Sequence, residues 1–312
     1  MVNLANGLGE EFGALITERF PQVAITNVAQ SEPWKIPAGT EVAFVGPGPG
    51  WRNPPKDLPD HWGALKWVQA VSAGVDFFPS WLLSVPLVTC GRGLTAEPIA
   101  EYVICAMLNH EKNFLTARVR RAEDWGIPSM GTLHGRKLGL VGYGALGKAI
   151  ARLAKAFGME IVVLKRSGGE TSADFTAATD IKSLVATVDH LVLAAPLTDK
   201  TRGMINADVL NHAKKGLHLI NIARGAQIVI EDLYAALDAS QLSGATLDVT
   251  SPEPPVPGDP IYSHPKIFLT PHCSWRGRED LQVRQDEQML DNIRRYLATE
   301  PLNDIIDAVR GY

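Results

Sequence analysis

Cysteine is scarce in this sequence and widely spaced. Only Cys90, Cys105 and Cys273 occur in 312 residues. Three such residues fit neither a disulfide framework nor a CxxC metal site, so a reducing, cytoplasmic compartment and no metal centre are expected. An excess of one charge is also missing. Lys and Arg number 30 against 34 Asp and Glu, and there is no long basic run, so nucleic acid is not an expected partner. Long hydrophobic runs are lacking too. Stretches such as Leu191–Pro196 are strand-sized and far too short to span a bilayer. The first residues do not show the basic, apolar and small-residue succession of a signal peptide. There is no internal repeat and no low-complexity tract.

What is present is a 46% hydrophobic chain, long enough for about two domains. Residues 1 to about 95 read as a small α/β unit, with short buried strands at 41–45, 67–71 and 86–89. Met1–Asn6 makes a poor strand by composition, and the Pro/Gly-rich stretch from Gly46 to Pro59 reads as a loop. A helix is expected over Ala96–Asn109. Strand-like runs then alternate with helix-like ones: Leu138–Val141, Ile161–Leu164, His190–Ala195, Leu217–Ile222, Ala245–Val249 and Ile267–Leu269. Leu146, Ala149, Ile150, Leu153, Ala154 and Phe157 fall at helical spacing between the first two. Nearly continuous apolar strands alternating with helices predict a doubly wound parallel sheet. After Glu279 one long polar helix runs to about Leu297 and could return to the first unit. The expected division is therefore 1–97 with 282–312, and 98–281.

The segment KLGLVGYGALG (137–147) places Gly142, Gly144 and Gly147 as G-x-G-x-x-G between a strand and a helix. The first glycine permits the tight turn, the second admits a pyrophosphate to the backbone, and the third lets helix and strand pack closely. The helix start, with Ala145 and Leu146, offers free N–H groups to phosphates. An NAD site calls for an acid at the end of the next strand, to accept from the ribose hydroxyls. Here Lys165, Arg166 and Ser167 stand there instead. Two cations and a hydroxyl suit a 2′-phosphate, so NADP is the expected cofactor. The competing reading is a solvated basic turn.

Ligands of such sheets lie beyond the carboxyl ends of the strands. Reading those ends in turn gives Pro196 with nearby Thr201, Ala223 with Arg224, Asp248 with nearby Glu253, and His272 after Thr270-Pro271. A histidine titrates near neutrality and serves as proton donor or acceptor. A carboxylate such as Glu253 would orient it, and an arginine such as Arg224 would fork onto a substrate carboxylate and polarise a carbonyl. Taken singly, His272 could equally be a loop histidine and Glu253 a surface acid.

Together the motifs SAGVD (72–76), Ala100-Glu101, VGYGALG (141–147), PLTDKTRGMIN (196–206), INIARG (220–225), GATLDVTSPEP (244–254) and LTPH (269–272) resemble the D-isomer-specific 2-hydroxyacid dehydrogenases over nearly the whole chain. The resemblance implies two Rossmann-like domains, doubly wound parallel sheets with the active site in the cleft between them. It also implies a homodimer built on the cofactor domains and hydride transfer between a nicotinamide and a small 2-oxo or 2-hydroxy acid. It makes Arg224, Glu253 and His272 the catalytic set and the Ala73 and Gly74 backbone the seat of the substrate carboxylate. It turns Asp248 toward the nicotinamide and lines the cofactor cleft with Pro196 and Thr201.

Within the family the chain resembles the bacterial glyoxylate/hydroxypyruvate reductases of the A type, which implies NADPH-linked reduction. It departs from them at Phe44–Pro47, where an aromatic loop residue is usual, and at Trp275, a bulky indole where small residues are common. Trp275, Trp81 and the 46–53 loop are the expected shapers of the substrate pocket, and Arg278 is either a further anionic contact or a surface charge. Two alternatives stay open: a dinucleotide-sensing, corepressor-like binding protein, and a phosphite-type dehydrogenase of the same fold. Glu253 argues against a formate enzyme, which pairs its histidine with Gln.

Overall fold

The computed structural model describes residues 1–166 and 171–307. It divides into two compact units, Met1–Leu94 with Arg278–Tyr312, and Thr95–Gly277.

In the first unit the strands are Val2–Asn6 (β1), Val23–Asn27 (β2), Val42–Val45 (β3), Trp67–Ala70 (β4) and Leu87–Thr89 (β5), with the helix Glu10–Arg19 (α1) between β1 and β2. They pair in parallel in the order β2-β1-β3-β4-β5, the flavodoxin-like doubly wound arrangement. All residues of β3 and β4 are buried, as a sheet covered on both faces requires. β1 is an internal strand despite its weak composition. Its polar Asn6 is fully buried because its amide donates to Asn27 Oδ1 at 2.7 Å and to the Gly9 carbonyl. β2 lacks a comparable sequence signal because it is an edge strand whose last residues face solvent. Trp81 belongs to an aromatic cluster of this unit. It is 8% exposed, packs against Trp51 and Trp62, and donates from Nε1 to the Pro55 carbonyl.

The second unit opens with the helices Ala96–Lys112 (α2) and Phe114–Ala117 (α3). Then come strand Lys137–Val141 (β6), helix Ala145–Ala156 (α4), strands Glu160–Leu164 (β7) and Thr176–Ala177 (β8), and helix Ile181–Val185 (α5). His190–Leu193 (β9), helix Ala207–Leu210 (α6), Leu217–Asn221 (β10), helix Ile230–Asp238 (α7), Leu242–Leu247 (β11) and Ile267–Leu269 (β12) complete it. All seven strands run parallel in the order β12-β11-β10-β9-β6-β7-β8. This is the Rossmann order with one strand added at the β11 side. The order reverses between β6 and β9, which makes the carboxyl ends of those strands the place for a ligand. One core gathers α2, α4 and one sheet face around Ile150, Leu138 and Met107; the other gathers α5, α6 and α7 around Leu191, Leu219 and Leu233. The last helix, Leu281–Leu297 (α8), belongs to the first unit, where Met289, Leu290 and Ile293 pack with Phe44 and Trp67.

At the amino end of the second sheet lies a histidine cluster. His190 and His218, 0% and 1% exposed, meet through their Nδ1 atoms at 3.1 Å, and His110 of α2 stacks on His218 at 4.0 Å. Glu111 Oε1 lies 3.2 Å from His190 Nε2, and Arg136 reaches both Glu111 and Asp189. Glu111 favours the Nε2–H tautomer of His190, so His218 donates to it from Nδ1 and accepts from Thr246 through Nε2. Burial, then the neighbouring histidines, press His218 well below its ordinary 6.5 and His110 to about 4. Unfolding frees both to take up protons. Their contribution to stability is present above pH 6.5 and is lost as the pH falls toward about 4. The thermal midpoint is expected to drop between pH 7 and pH 5, and a His218→Asn variant should flatten that dependence. An equal slope in the variant would remove the cluster as its cause.

Candidate active site

β6 ends at Val141, and Gly142 turns with φ of 100°, a left-handed conformation that side chains avoid. A Cβ on Gly147 would stand 2.4 Å from the Gly142 carbonyl oxygen, so only glycine lets α4 start this close to the strand. Gly144 is the N-cap of α4, no side chain caps the helix there, and a Cβ built at Gly144 meets no atom within 4 Å. The turn therefore presents backbone and the Ala145–Leu146 helix start to open space, which suits a pyrophosphate. Lys165 and Arg166 follow the end of β7. Ser167 lies outside the described residues. The Lys165 ammonium sits 4.1 Å from the centre of the Phe175 ring.

Past β9, Pro196 and Thr201 share one tight loop. Thr201 Oγ1 donates to the Pro196 carbonyl and accepts from the Thr198 amide, both at 2.8 Å. Gln227, 0% exposed, buttresses this loop by donating from Nε2 to the carbonyls of Ala195 and Pro196 at 2.9 and 3.2 Å. Sequence reading missed Gln227, because nothing local marks a polar residue two positions after the glycine of ARG as buried.

Past β10, buried Asn221 shapes the turn that carries Arg224. Its Oδ1 accepts from the Ala223 amide at 3.0 Å and its Nδ2 donates to the Arg224 carbonyl at 2.9 Å. Arg224 is half-buried, with its Nη1 on the Ala223 carbonyl.

His272 and Glu253 meet. Nδ1 of the imidazole lies 2.9 Å from Glu253 Oε2, while Glu253 Oε1 accepts from the Thr250 amide at 3.0 Å. The hydrogen bond that Nδ1–H donates to Glu253 raises the His272 pKa above its ordinary value, and the carboxylate charge adds to this; burial and the Arg224 charge pull the other way. Burial alone would raise Glu253, but the bonds from His272 and Thr250 and the nearby Arg224 charge leave it below the ordinary carboxylate range. Arg224 thus lies close enough to act electrostatically on both partners. With Nδ1 held by Glu253, Nε2 is the nitrogen left to exchange a proton with a ligand. The pair borders a cavity of about 660 Å³ lined also by Tyr262, Ile267 and Leu269.

The loop that presents His272 is tightly held. His272 has φ of 50°, a strained backbone for a non-glycine residue. Its amide donates to the Asp248 carbonyl at 2.8 Å. Asp248, 1% exposed, accepts through Oδ1 from Thr270 Oγ1 at 2.6 Å and the Cys273 amide at 2.9 Å, and through Oδ2 from the Ser274 amide at 3.0 Å. Tyr102 of α2 reaches Thr270 Oγ1 at 2.6 Å. Both Asp248 oxygens are thus engaged in fixing the histidine loop. Trp275, 38% exposed, donates from its indole to the His272 carbonyl at 2.9 Å and stacks under the Arg276 guanidinium. Its bulk therefore also serves the loop.

Ala73, Gly74 and Arg278 belong to the first unit. Ala73 and Gly74 follow β4 in a turn closed by Ser72 Oγ on the Gly74 carbonyl at 2.8 Å; Ala73 is exposed and Gly74 half-buried. Arg278 forks onto Asp280 at 2.8 and 2.9 Å just before α8. Among the described residues no His, Cys, Asp or Glu group could hold a metal, and no helix is long and apolar enough to cross a membrane.

A Rossmann sheet with an open glycine turn, and a carboxylate-held histidine beside an arginine on the same sheet edge, defines a dinucleotide-dependent oxidoreductase. Comparison with known proteins carries this one step further. Residues 104–274 match the family model "D-isomer specific 2-hydroxyacid dehydrogenase, NAD binding domain", and the chain belongs to that family. It is 30% identical to the glyoxylate/hydroxypyruvate reductase A of Serratia proteamaculans, over 97% of this chain and 96% of that one. It is 29% identical to the glycerate dehydrogenase of Methylorubrum extorquens, over 85% of each. Its fold superposes with a TM-score of 0.83 on a D-isomer specific 2-hydroxyacid dehydrogenase from Xanthobacter autotrophicus Py2, solved with NADPH and MES, at 25% identity over 100% of this chain and 99% of that one.

Proposed function

We propose that the enzyme reduces small 2-oxo acids of the glyoxylate and hydroxypyruvate type to D-2-hydroxy acids, using NADPH. The Glu253–His272 pair, 2.9 Å apart at the strand edge, carries the reading. The named relatives and the NADPH-bound structural neighbour support it. NADPH, when bound, supplies the hydride. The glycine turn and the α4 start hold its pyrophosphate, Pro196, Thr201 and Ala223 line its cleft, Asp248 faces its nicotinamide, and Lys165 and Arg166 hold its 2′-phosphate. Arg224 forks onto the substrate and polarises its carbonyl, and the amides of Ala73 and Gly74 receive its carboxylate. His272 gives the proton on Nε2 to the carbonyl oxygen, and Glu253 stabilises the imidazolium before that transfer. The unit Thr95–Gly277 is the dinucleotide half and Met1–Leu94 with Arg278–Tyr312 the substrate half.

The experiment is consumption of NADPH and NADH across a panel of 2-oxo acids, with chiral analysis of the product. Rapid NADPH consumption with glyoxylate or hydroxypyruvate, and D-glycerate from the latter, is expected. Turnover of bulky oxo acids only would keep the chemistry and overturn the substrate. No turnover would favour a binding protein.

The same reading takes the protein as a homodimer joined through the dinucleotide unit. Trp125 and Ile127 are 84% and 102% exposed on the segment after α3, and Phe114, Phe157 and Phe268 border an apolar groove along α2. Such exposed apolar area fits a second copy of the chain. Sedimentation should give twice the chain mass, and Trp125→Ser with Ile127→Ser should shift it toward one. A monomeric wild-type protein would refute the assignment.

A further inference from the structure

The Lys165 ammonium has an unusual neighbourhood. It lies 4.1 Å from the centre of the Phe175 ring and 5.6 Å from that of Tyr143, and the two rings are 4.7 Å apart and inclined by 55°. We propose that Phe175, with Tyr143, is a cofactor-selecting positioning residue: the two rings hold the Lys165 ammonium in place for the 2′-phosphate of NADPH. The inference rests on the phosphate role given to Lys165 above.

Several observations converge on it. Phe175 is only 7% exposed and belongs to the core that α2 and α4 build on the sheet. It sits at the end of a turn closed by Ser172 and Phe175, whose amides and carbonyls exchange bonds of 3.0 and 3.3 Å. The turn is tied to the end of α4, because Asp174 Oδ1 accepts from Lys155 Nζ at 2.6 Å. Phe175 is thus fixed from two sides, and the nearby Asp174 carboxylate is engaged by Lys155. Tyr143 stands between the first two glycines of the pyrophosphate turn, so the rings join that turn to the cationic strand end.

The chemistry explains why rings rather than an acid are used here. A lysine has a long, flexible stem and a strongly hydrated point charge, so an unheld one adds little selectivity. A carboxylate would hold it but would cancel the charge that a phosphate must find, and would repel the phosphate besides. An aromatic face attracts the ammonium through its quadrupole and leaves the charge intact.

Two binding fragments isolate the effect by calorimetry: 2′,5′-ADP, which carries the 2′-phosphate, and 5′-AMP, which does not. Phe175→Leu keeps apolar bulk in the core and should weaken 2′,5′-ADP by about fivefold, with 5′-AMP unchanged. Phe175→Tyr, which keeps a ring face, should retain the selectivity and covers the case in which the leucine variant fails to fold. In a Lys165→Met background, Phe175→Leu should cause no further loss. Equal losses for both fragments would mean that Phe175 only packs the core. Unchanged or tighter 2′,5′-ADP binding would mean that the rings do not present the lysine, or withhold it. The same loss in the Lys165→Met background would remove Lys165 as the intermediary. These outcomes overturn the inference alone. If Lys165→Met leaves 2′,5′-ADP binding unaffected, the phosphate role of Lys165 falls as well.

Discussion

Replacing His272 with Ala should cut kcat by about a thousandfold, the usual worth of a positioned proton donor, and leave NADPH binding within about twofold of wild type. The expectation follows from the orientation of the ring. Glu253 holds Nδ1, so Nε2 is the nitrogen that gives up a proton, and the buried His190 and His218 lie at the opposite, amino end of the strands. Glu253→Gln should be milder and diagnostic. Reduction requires the imidazolium, so activity falls as the pH rises through the His272 pKa, which the glutamate raises above its ordinary value. Without the carboxylate that limb of the kcat profile should move to lower pH. Near-normal turnover in His272→Ala, or an unmoved limb in Glu253→Gln, would remove the pair from the chemistry.

Neutralising the strand end with Lys165→Ala and Arg166→Ala should weaken NADPH by about a hundredfold and change NADH by less than about threefold. Charge-assisted bonds to a phosphate contribute about 1.5–3 kcal/mol each, and solvent at this exposed edge screens part of that. Equilibrium titration of cofactor fluorescence gives both constants. Equal effects on the two cofactors would return the basic pair to the status of a solvated turn and leave the enzyme without a basis for preferring NADPH.

The parts of the site that sequence reading found are those built within a few consecutive residues. The glycine turn needs a strand, a left-handed residue and a close helix start inside eleven positions, and each demand leaves its mark in KLGLVGYGALG. The strand-end residues Arg224, Glu253 and His272 were legible because a parallel sheet brings carboxyl ends to one edge, and the structure does bring Glu253 and His272 together. The supports are long-range and left no local mark. Tyr102 meets Thr270 across 168 positions. Asp248 also holds the 270–274 loop with both of its oxygens, a second task that no neighbouring residue announces. The packing of Trp81 with Trp51 and Trp62 was not legible either, because these three residues meet across loops rather than within one periodic element. β1 was underrated because two asparagines in five residues argue against a strand, and the partner that satisfies Asn6 lies 21 residues away.

Hydride passes from NADPH to the carbonyl carbon of a 2-oxo acid in the proposed reaction. The most direct measurement uses NADPH carrying deuterium on the transferring face of C4, with glyoxylate as acceptor and mass analysis of the product. Glycolate with one deuterium on C2, formed at the rate of NADPH loss, is expected. NADPH loss without deuterium in the acid, or acid formed without NADPH loss, would contradict it.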